Sequence, residues 1–496
     1  MNVRTLRAGG AAVARRAREL LGRHRVFIPL LVAAAALRVV TMLGYRSVMW
    51  FPDSYDYVSA AVRLEPGLIR PSGYPLLLWL LKGFHSFTLV AALQHLMGLG
   101  IAVMIYAVLR RRFAVRGWIA ALATVPVLFD AFQIQLEHLV LSDTLFAFLV
   151  MAAVTVLLLG GSTARNCALA GILLGLAAIT RSVGLPLLAV GVLYLLVRRA
   201  GWRPVAALAG ACALPIACYL QWYHSHHGRL ELTGSSGVML YSRSMAFADC
   251  EKMRPPPEEM PLCVAAHPSE RKAPGSYVWG QFAPVRRIPG SSFTAEQNRL
   301  AGSFARRAML AQPGDYLRTV AIDVARTFQW GHPVYPEEFT YGHYLFRDET
   351  ARPPEHVLPA LQEYRRGGRV TTEVVHPYAG FMQVYQRHVY LRGTVLGVIL
   401  AIGLAGAAAA WRRGGVLIML PWTLSAVLIV VPAATAQFDY RYVLAAVPLA
   451  CLAAGAAAGL GGRRTAEAPP GDPRDTPDGP RETLGSRGGI PAGATV

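Results

Sequence analysis

The chain has 496 residues, of which 54% are hydrophobic and only 16% charged, with a mean hydropathy of +0.37. That composition excludes a soluble globular protein and belongs to the membrane class. The formal charge of +20 does not mark a nucleic-acid binder, because the basic residues form no single face or aromatic-interleaved patch.

Those basic residues come as short clusters between apolar runs: RAGGAAVARRARELLGRHR, RRRFAVR, RRAGWR, WRRGG and GGRR. Residues 1–25 read as a basic cytoplasmic segment. The apolar FIPLLVAAAALRVV after them lacks a small-residue cleavage site, so it reads as an uncleaved first helix. Runs of near-spanning length follow. In all they cover about 26–44, 88–109, 117–133, 139–160, 166–180, 183–198, 203–222, 393–411, 415–433 and 441–460. With the arginine-rich N-terminus inside, the short loops 110–116, 161–165, 199–202 and 412–414 fall on the same side, and each holds arginine. The expectation is an all-α polytopic membrane protein with about ten transmembrane helices in a cytoplasmic (inner) membrane. Residues 26–222 form its first membrane module, with an outer loop at 45–87. Residues 223–392 form a mixed extracytoplasmic domain, 393–462 the last spans, and 463–496 a disordered tail low in hydrophobics.

The outer loop holds the densest chemistry. In MWFPDSYDYVSAAVRLEPGLIRPSGYP, Asp53 and Asp56 stand where a membrane helix ends. Asp-x-x-Asp after Pro52 also reads as a helix cap with its partner three positions on. Residues 54–64 and the following YPLLLWLLKGF suit two helices lying on the membrane surface. Asp143 lies one turn into an apolar run, where a carboxylate needs a use or a partner; Glu137 and His138 precede it in an outer turn. Cys250 and Cys263 flank EKMRPPPEEMPL in the outer block, where a disulfide persists, whereas Cys167, Cys212, Cys218 and Cys451 lie in apolar segments. His224, His226 and His227 in WYHSHHG read as interfacial histidines more readily than as metal ligands, since no carboxylate or thiol pattern accompanies them. Asp249, Trp279, Trp330 and His332 are acceptor-site candidates by residue type alone.

Several of these segments resemble one family. The acidic residue after the first span with RPSGYPLLLWLL, then HLVLSDTLFAFLV, AITRSVGLPLL and FDYRYVLAAVPLACLAA, are similar in order and sidedness to C-fold (GT-C) membrane glycosyltransferases. The nearest group is the polyprenyl-phosphate-sugar enzymes related to protein O-mannosyltransferases and aminoarabinose transferases. The resemblance covers roughly the first 220 residues and the last 60, and leaves the central block unmatched. It implies a glycosyltransferase that moves a sugar from a polyprenyl-phosphate donor to an acceptor at the outer face. Asp53 would be the general base that deprotonates the acceptor. A departing lipid phosphate needs positive charge, and Lys82, Arg441 and Arg181 are the candidates in that order, with His85 behind them. Each has a plain alternative: a snorkelling lysine, an ion pair of Arg441 with Asp439, and an anchoring arginine. Asp143 and Glu137 are further catalytic candidates, Asp143 with three roles open: orienting Asp53, binding the sugar or holding a metal. Asp56, Tyr57 and His138 are substrate-binding candidates. The cofactor is left unassigned, with a divalent cation among the options. The acceptor would be an envelope glycan, a lipid or a protein, and no nucleic acid enters.

Two other classes compete. A flippase of lipid-linked sugars predicts repeats, broken helices or charges near the midplane; the charges cluster instead at the outer boundary. A non-catalytic scaffold predicts that Asp53 is replaceable wherever a helix cap survives.

Overall fold

The structure, a computed structural model, describes residues 22, 24–290 and 293–462. Residues 1–21 of the basic N-terminal segment and the 463–496 tail therefore lie outside the described residues. The chain is an all-α polytopic membrane protein. Among the described residues, five helices are long and apolar enough to cross a bilayer: Phe27–Gly44, Phe87–Arg111, Trp202–His227, Gly415–Thr435 and Tyr440–Gly459. The three shorter apolar helices Asp143–Leu159, Ala164–Thr180 and Ser182–Val197 match three more of the expected runs. The remaining two runs belong to bent pairs.

One bend corrects a predicted span. The run expected at 117–133 breaks by 54° between Gly117–Phe129 and Ala131–His138. Asp130 causes it: its backbone is extended, and its carboxylate accepts from the Phe132 amide at 2.9 Å, which starts a second helix. The other pair, Tyr378–His388 and Gly393–Ala409, bends by 60°.

Close packing of the bundle is set by small residues. Gly171 and Gly175, one turn apart on Ala164–Thr180, face the helix Trp202–His227. A Cβ at either would fall 2.3 Å from the Leu208 carbonyl or 2.5 Å from that of Cys212. Small residues at this spacing let two backbones meet where lipid gives no hydrophobic drive. Ile105, Val108, Val150, Val154 and Leu174 are among the residues that fill the core between these helices.

A second core ties the first loop to the central block. Trp50, Tyr55, Tyr57 and Phe87 pack with Tyr344, Phe346, Leu361, Tyr364 and Met382. Beside it, Tyr45–Arg46 pairs antiparallel with Glu373–Val374, Tyr45 opposite Val374 and Arg46 opposite Glu373. On the other side Met49 bridges to Leu139, and the Trp50 indole donates to the Val370 carbonyl at 2.9 Å. The segment 45–51 is thus threaded between 138–140 and 370–374, which fixes where the next helix begins. The rest of the central block is short α and 3-10 helices with its own core of Val238, Tyr241, Phe304 and Ala308, against which Leu68 and Ile69 pack. Cys250 and Cys263 are disulfide-bonded within it.

Candidate functional site

The loop 45–87 holds the two helices expected, Pro52–Arg63 and Gly73–Lys82. Trp79, Leu80 and Phe84 are exposed on or just after the second, as a surface-lying helix requires. The cap reading of Asp53 is corrected. The N-cap of Pro52–Arg63 is Phe51, whose amide donates to the Ser54 hydroxyl at 3.0 Å. Asp53 sits inside the first turn, 5% exposed, and is not needed to start the helix.

What holds Asp53 is a pair of arginines. Arg70, from the irregular segment between the two helices, pairs with Oδ1. Arg441, on the first turn after Asp439, donates to Oδ2 at 2.9 Å. Burial by itself raises the Asp53 carboxyl, but the Arg70 and Arg441 guanidiniums outweigh it and hold it at about 2. Arg441 is fixed in turn: its guanidinium lies 4.6 Å over the Phe51 ring and its Nε is 3.6 Å from Asp439, which accepts from the Tyr344 hydroxyl at 2.9 Å. The ion pair of Arg441 with Asp439 foreseen as its alternative exists beside the one with Asp53.

The second half of the site joins through Tyr442. Arg181 lies 5.0 Å over that ring and Arg441 5.2 Å from it. Arg181 also pairs with Asp143, whose helix starts at the same turn where Ser142 meets the Tyr57 hydroxyl at 3.1 Å. Asp143 is 3% exposed, and its Oδ2 is buried without a hydrogen-bond partner, as is Arg441 Nε. A native structure rarely leaves such atoms unpaired unless something else meets them. A cleft of about 250 Å³ opens beside this cluster, with Asp56, Tyr57, Arg63, Arg70 and His227 in its walls. Trp279 of the central block stands at Arg70, its ring 5.7 Å from the guanidinium. The structure therefore gathers Asp53, Asp56, Tyr57, Asp143, Arg181 and Arg441 around one place, and adds Arg70.

Other candidates lie elsewhere. Glu137 and His138, read as lying in an outer turn before the fourth span, are fully buried. Both Glu137 oxygens are taken by Arg38 at 2.8 and 2.9 Å, with His95 at 3.0 Å and Gln133 at 3.2 Å completing the set. Gly98 makes room for that carboxylate: a Cβ there would fall 1.9 Å from it. His138 donates Nε2–H to the Tyr45 carbonyl at 2.7 Å and meets His95 at 3.1 Å through its other nitrogen. Neither residue has a free group to offer a substrate; they are the lining of an internal arginine. Lys82, ranked first for phosphate, is paired with Glu363 at 2.8 Å and donates to the Val62 carbonyl, and His85 meets the Tyr364 carbonyl. His332 is enclosed by the rings of Phe132, Tyr390 and Tyr440, and Asp249 caps the short helix Cys250–Met253. Trp330 is exposed beside Arg392. His227 meets the Pro66 carbonyl at 2.8 Å in the cleft wall.

No three side chains of His, Cys, Asp or Glu converge as a metal would require among the described residues. Each inner carboxylate of the cluster, Asp53, Asp143 and Asp439, meets an arginine.

No family model and no curated protein matches the chain. Solved structures do. The chain is similar to membrane glycosyltransferases. One is the Pmt1-Pmt2 protein O-mannosyltransferase complex of S. cerevisiae, bound to its sugar donor, at 17% identity and a TM-score of 0.34 over 47% of this chain and 36% of that one. ArnT from Cupriavidus metallidurans, bound to undecaprenyl phosphate, is 15% identical with a TM-score of 0.35, over 88% of this chain and 78% of that one. The Archaeoglobus fulgidus oligosaccharyltransferase tethered to an acceptor peptide is 12% identical with a TM-score of 0.40, over 88% and 50%. This chain thus spans about a third of the yeast protein's length and half of the archaeal one's. These are the kinds of protein that the sequence motifs resemble. Likeness at this level gives no residue-by-residue correspondence, and the chemistry of the site rests on its own geometry.

Proposed function

We propose that this protein is an integral-membrane glycosyltransferase that takes a sugar from a polyprenyl-phosphate carrier and passes it, with inversion, to an acceptor at the outer face of the cytoplasmic membrane. The observation that carries the reading is Asp53: a buried carboxylate flanked by Arg70 and Arg441, with the Arg181–Asp143 pair close by and Arg70 in the wall of a cleft. A carboxylate and several guanidiniums are what a direct displacement from a lipid phosphate needs. The carboxylate takes the acceptor's proton, and the guanidiniums meet the charge that grows on the departing phosphate. Such a phosphate leaves readily, so no strong acid is required on its side. Arg441 and Arg181 are the phosphate ligands in this reading, and Asp143 positions Arg181. Asp56 and Tyr57 bound the sugar, and Glu137 and His138 have a structural part only. The outer-face assignment follows from the arginine-bearing short loops, which favour the cytosol.

The test is transfer from radiolabelled polyprenyl-phosphate sugars in membranes carrying the wild type or Asp53→Asn at equal expression. Loss of transfer in Asp53→Asn supports a base at this position. Equal transfer by both removes Asp53 from the chemistry, and no transfer from any donor by the wild type sinks the transferase reading.

A further inference from the structure

The carboxylate that this reaction needs as a base is already occupied. Asp53 gives one oxygen to Arg70 and the other to Arg441, and two guanidiniums against it make the carboxylate a weak base for an acceptor hydroxyl. The two arginines are held differently. The Arg441 side chain is 9% exposed and is gripped from several sides by Phe51, Tyr442 and Asp439. Arg70 rides on an irregular segment, keeps 21% of its side chain exposed and forms part of the cleft wall. Beyond Asp53 it meets Asp56, at 3.8 Å, and the ring of Trp279. Of the two, Arg70 is the one that can turn.

We infer that Arg70 is an exchangeable ligand: the phosphate of the lipid-linked donor takes the Arg70 guanidinium from Asp53, and Asp53 Oδ1 is thereby freed to receive the acceptor's proton. The inference rests on the transferase reading given above. A phosphate in the cleft offers two oxygens to the planar guanidinium fork, a better geometric match than the single Asp53 oxygen that Arg70 now holds. The step balances. The acceptor O–H bond breaks with its proton going to Asp53, and the oxygen's electron pair forms the new bond to the anomeric carbon. The bond from that carbon to the phosphate oxygen breaks, its pair stays on the phosphate, and Arg70 is there to meet it. The base is thus uncovered only when a donor is in place.

This makes Asp53 a competitor of the phosphate for Arg70, and linkage requires the competition to be reciprocal. If phosphate loosens Asp53, deleting the Asp53 charge must tighten phosphate binding. The experiment measures the Kd of polyprenyl phosphate, without a sugar, for the purified full-length protein in detergent. Asp53→Asn is expected to bind about fivefold or more tighter than wild type, within the ordinary range of coupling between sites. Arg70→Gln is expected to bind several-fold weaker, and adding Asp53→Asn to Arg70→Gln is expected to give no gain. An unchanged or weaker Kd in Asp53→Asn overturns the exchange, as does an equal gain with or without Arg70. Inorganic phosphate at matched concentration should not compete; if it competes equally, the assignment to a lipid-borne phosphate falls. Arg70→Lys, which keeps the charge but loses the fork, serves as the folding control and should bind between wild type and Arg70→Gln; binding as tight as wild type overturns the fork argument. Because binding is read without turnover, the two ideas fail separately. Lost transfer in Asp53→Asn with an unchanged Kd sinks the exchange and spares the base, whereas retained transfer with a tightened Kd does the reverse.

Discussion

Asp53 and Arg441 are 388 positions apart in the chain and 2.9 Å apart in the fold. Their contact joins the first loop to the start of the last helix, so the two segments that resemble the same family in sequence meet at one ion pair. Both side chains are over nine-tenths buried, and breaking such a pair from one side leaves a charge without a partner, at a cost of about 3–5 kcal/mol. Arg441→Met should therefore lower the thermal midpoint in detergent and abolish transfer. Adding Asp53→Asn to it should restore part of the midpoint and none of the transfer. Purely additive midpoints would mean that the pair is not coupled.

The same pair sets a pH dependence. The Asp53 carboxyl is held at about 2 in the fold against 3.8 for the free side chain. A lowered folded value gives stability that is complete above the unfolded value and is lost as pH falls towards the folded one. The window is about pH 4 to 2, and the contribution about 2 kcal/mol. Neutral-pH stability should thus owe this amount to Asp53, and melts from pH 5 down to 2.5 should fall more steeply for wild type than for Asp53→Asn. Parallel curves would show that the two arginines do not grip the carboxylate.

Glu137 makes the opposite kind of prediction, a structural one. Glu137→Ala leaves Arg38 buried at 2% exposure with its main partner gone. It should cost about 3–5 kcal/mol, seen as a sharp drop in folded yield, while the transfer rate per folded molecule stays within about twofold. A variant that folds as wild type does but loses transfer would return Glu137 to the list of bases.

The membrane helices were legible because hydropathy is a local property: each expected run has its helix, and the one that broke did so at Asp130, an acidic residue already visible in the sequence. The site was legible only where a motif carried it. Asp53, Asp143, Arg181 and Arg441 each stand in a recognisable segment; Arg70 opens another, RPSGYPLLLWLL, but nothing in that segment assigns it a role, and its pairing with Asp53 exists only in the folded loop. The burial of Glu137 and His138 was not legible for the same reason, since depth within a bundle is not written into the turn that holds a residue. One signal was available. An arginine inside FIPLLVAAAALRVV demands a partner in the bilayer, and Glu137, next to an apolar run, is one of the few acids in the sequence placed to supply it.

The Arg181–Asp143 pair supplies the last prediction. Asp143 gives one oxygen to Arg181 and leaves the other buried and unpartnered, and Arg181 stacks on the Tyr442 ring that Arg441 also touches. If Asp143 works by aiming Arg181 at the phosphate, the two residues act as one unit. Asp143→Asn and Arg181→Gln should then each lower kcat/KM for the lipid-linked donor by about tenfold or more. Their combination should be little worse than either alone, because groups that act together lose their effect once. Arg181→Lys should fall between, since an ammonium keeps the charge without the fork. If the losses multiply in the double variant, Asp143 has a role of its own, and its free oxygen, not its grip on Arg181, is what the reaction uses.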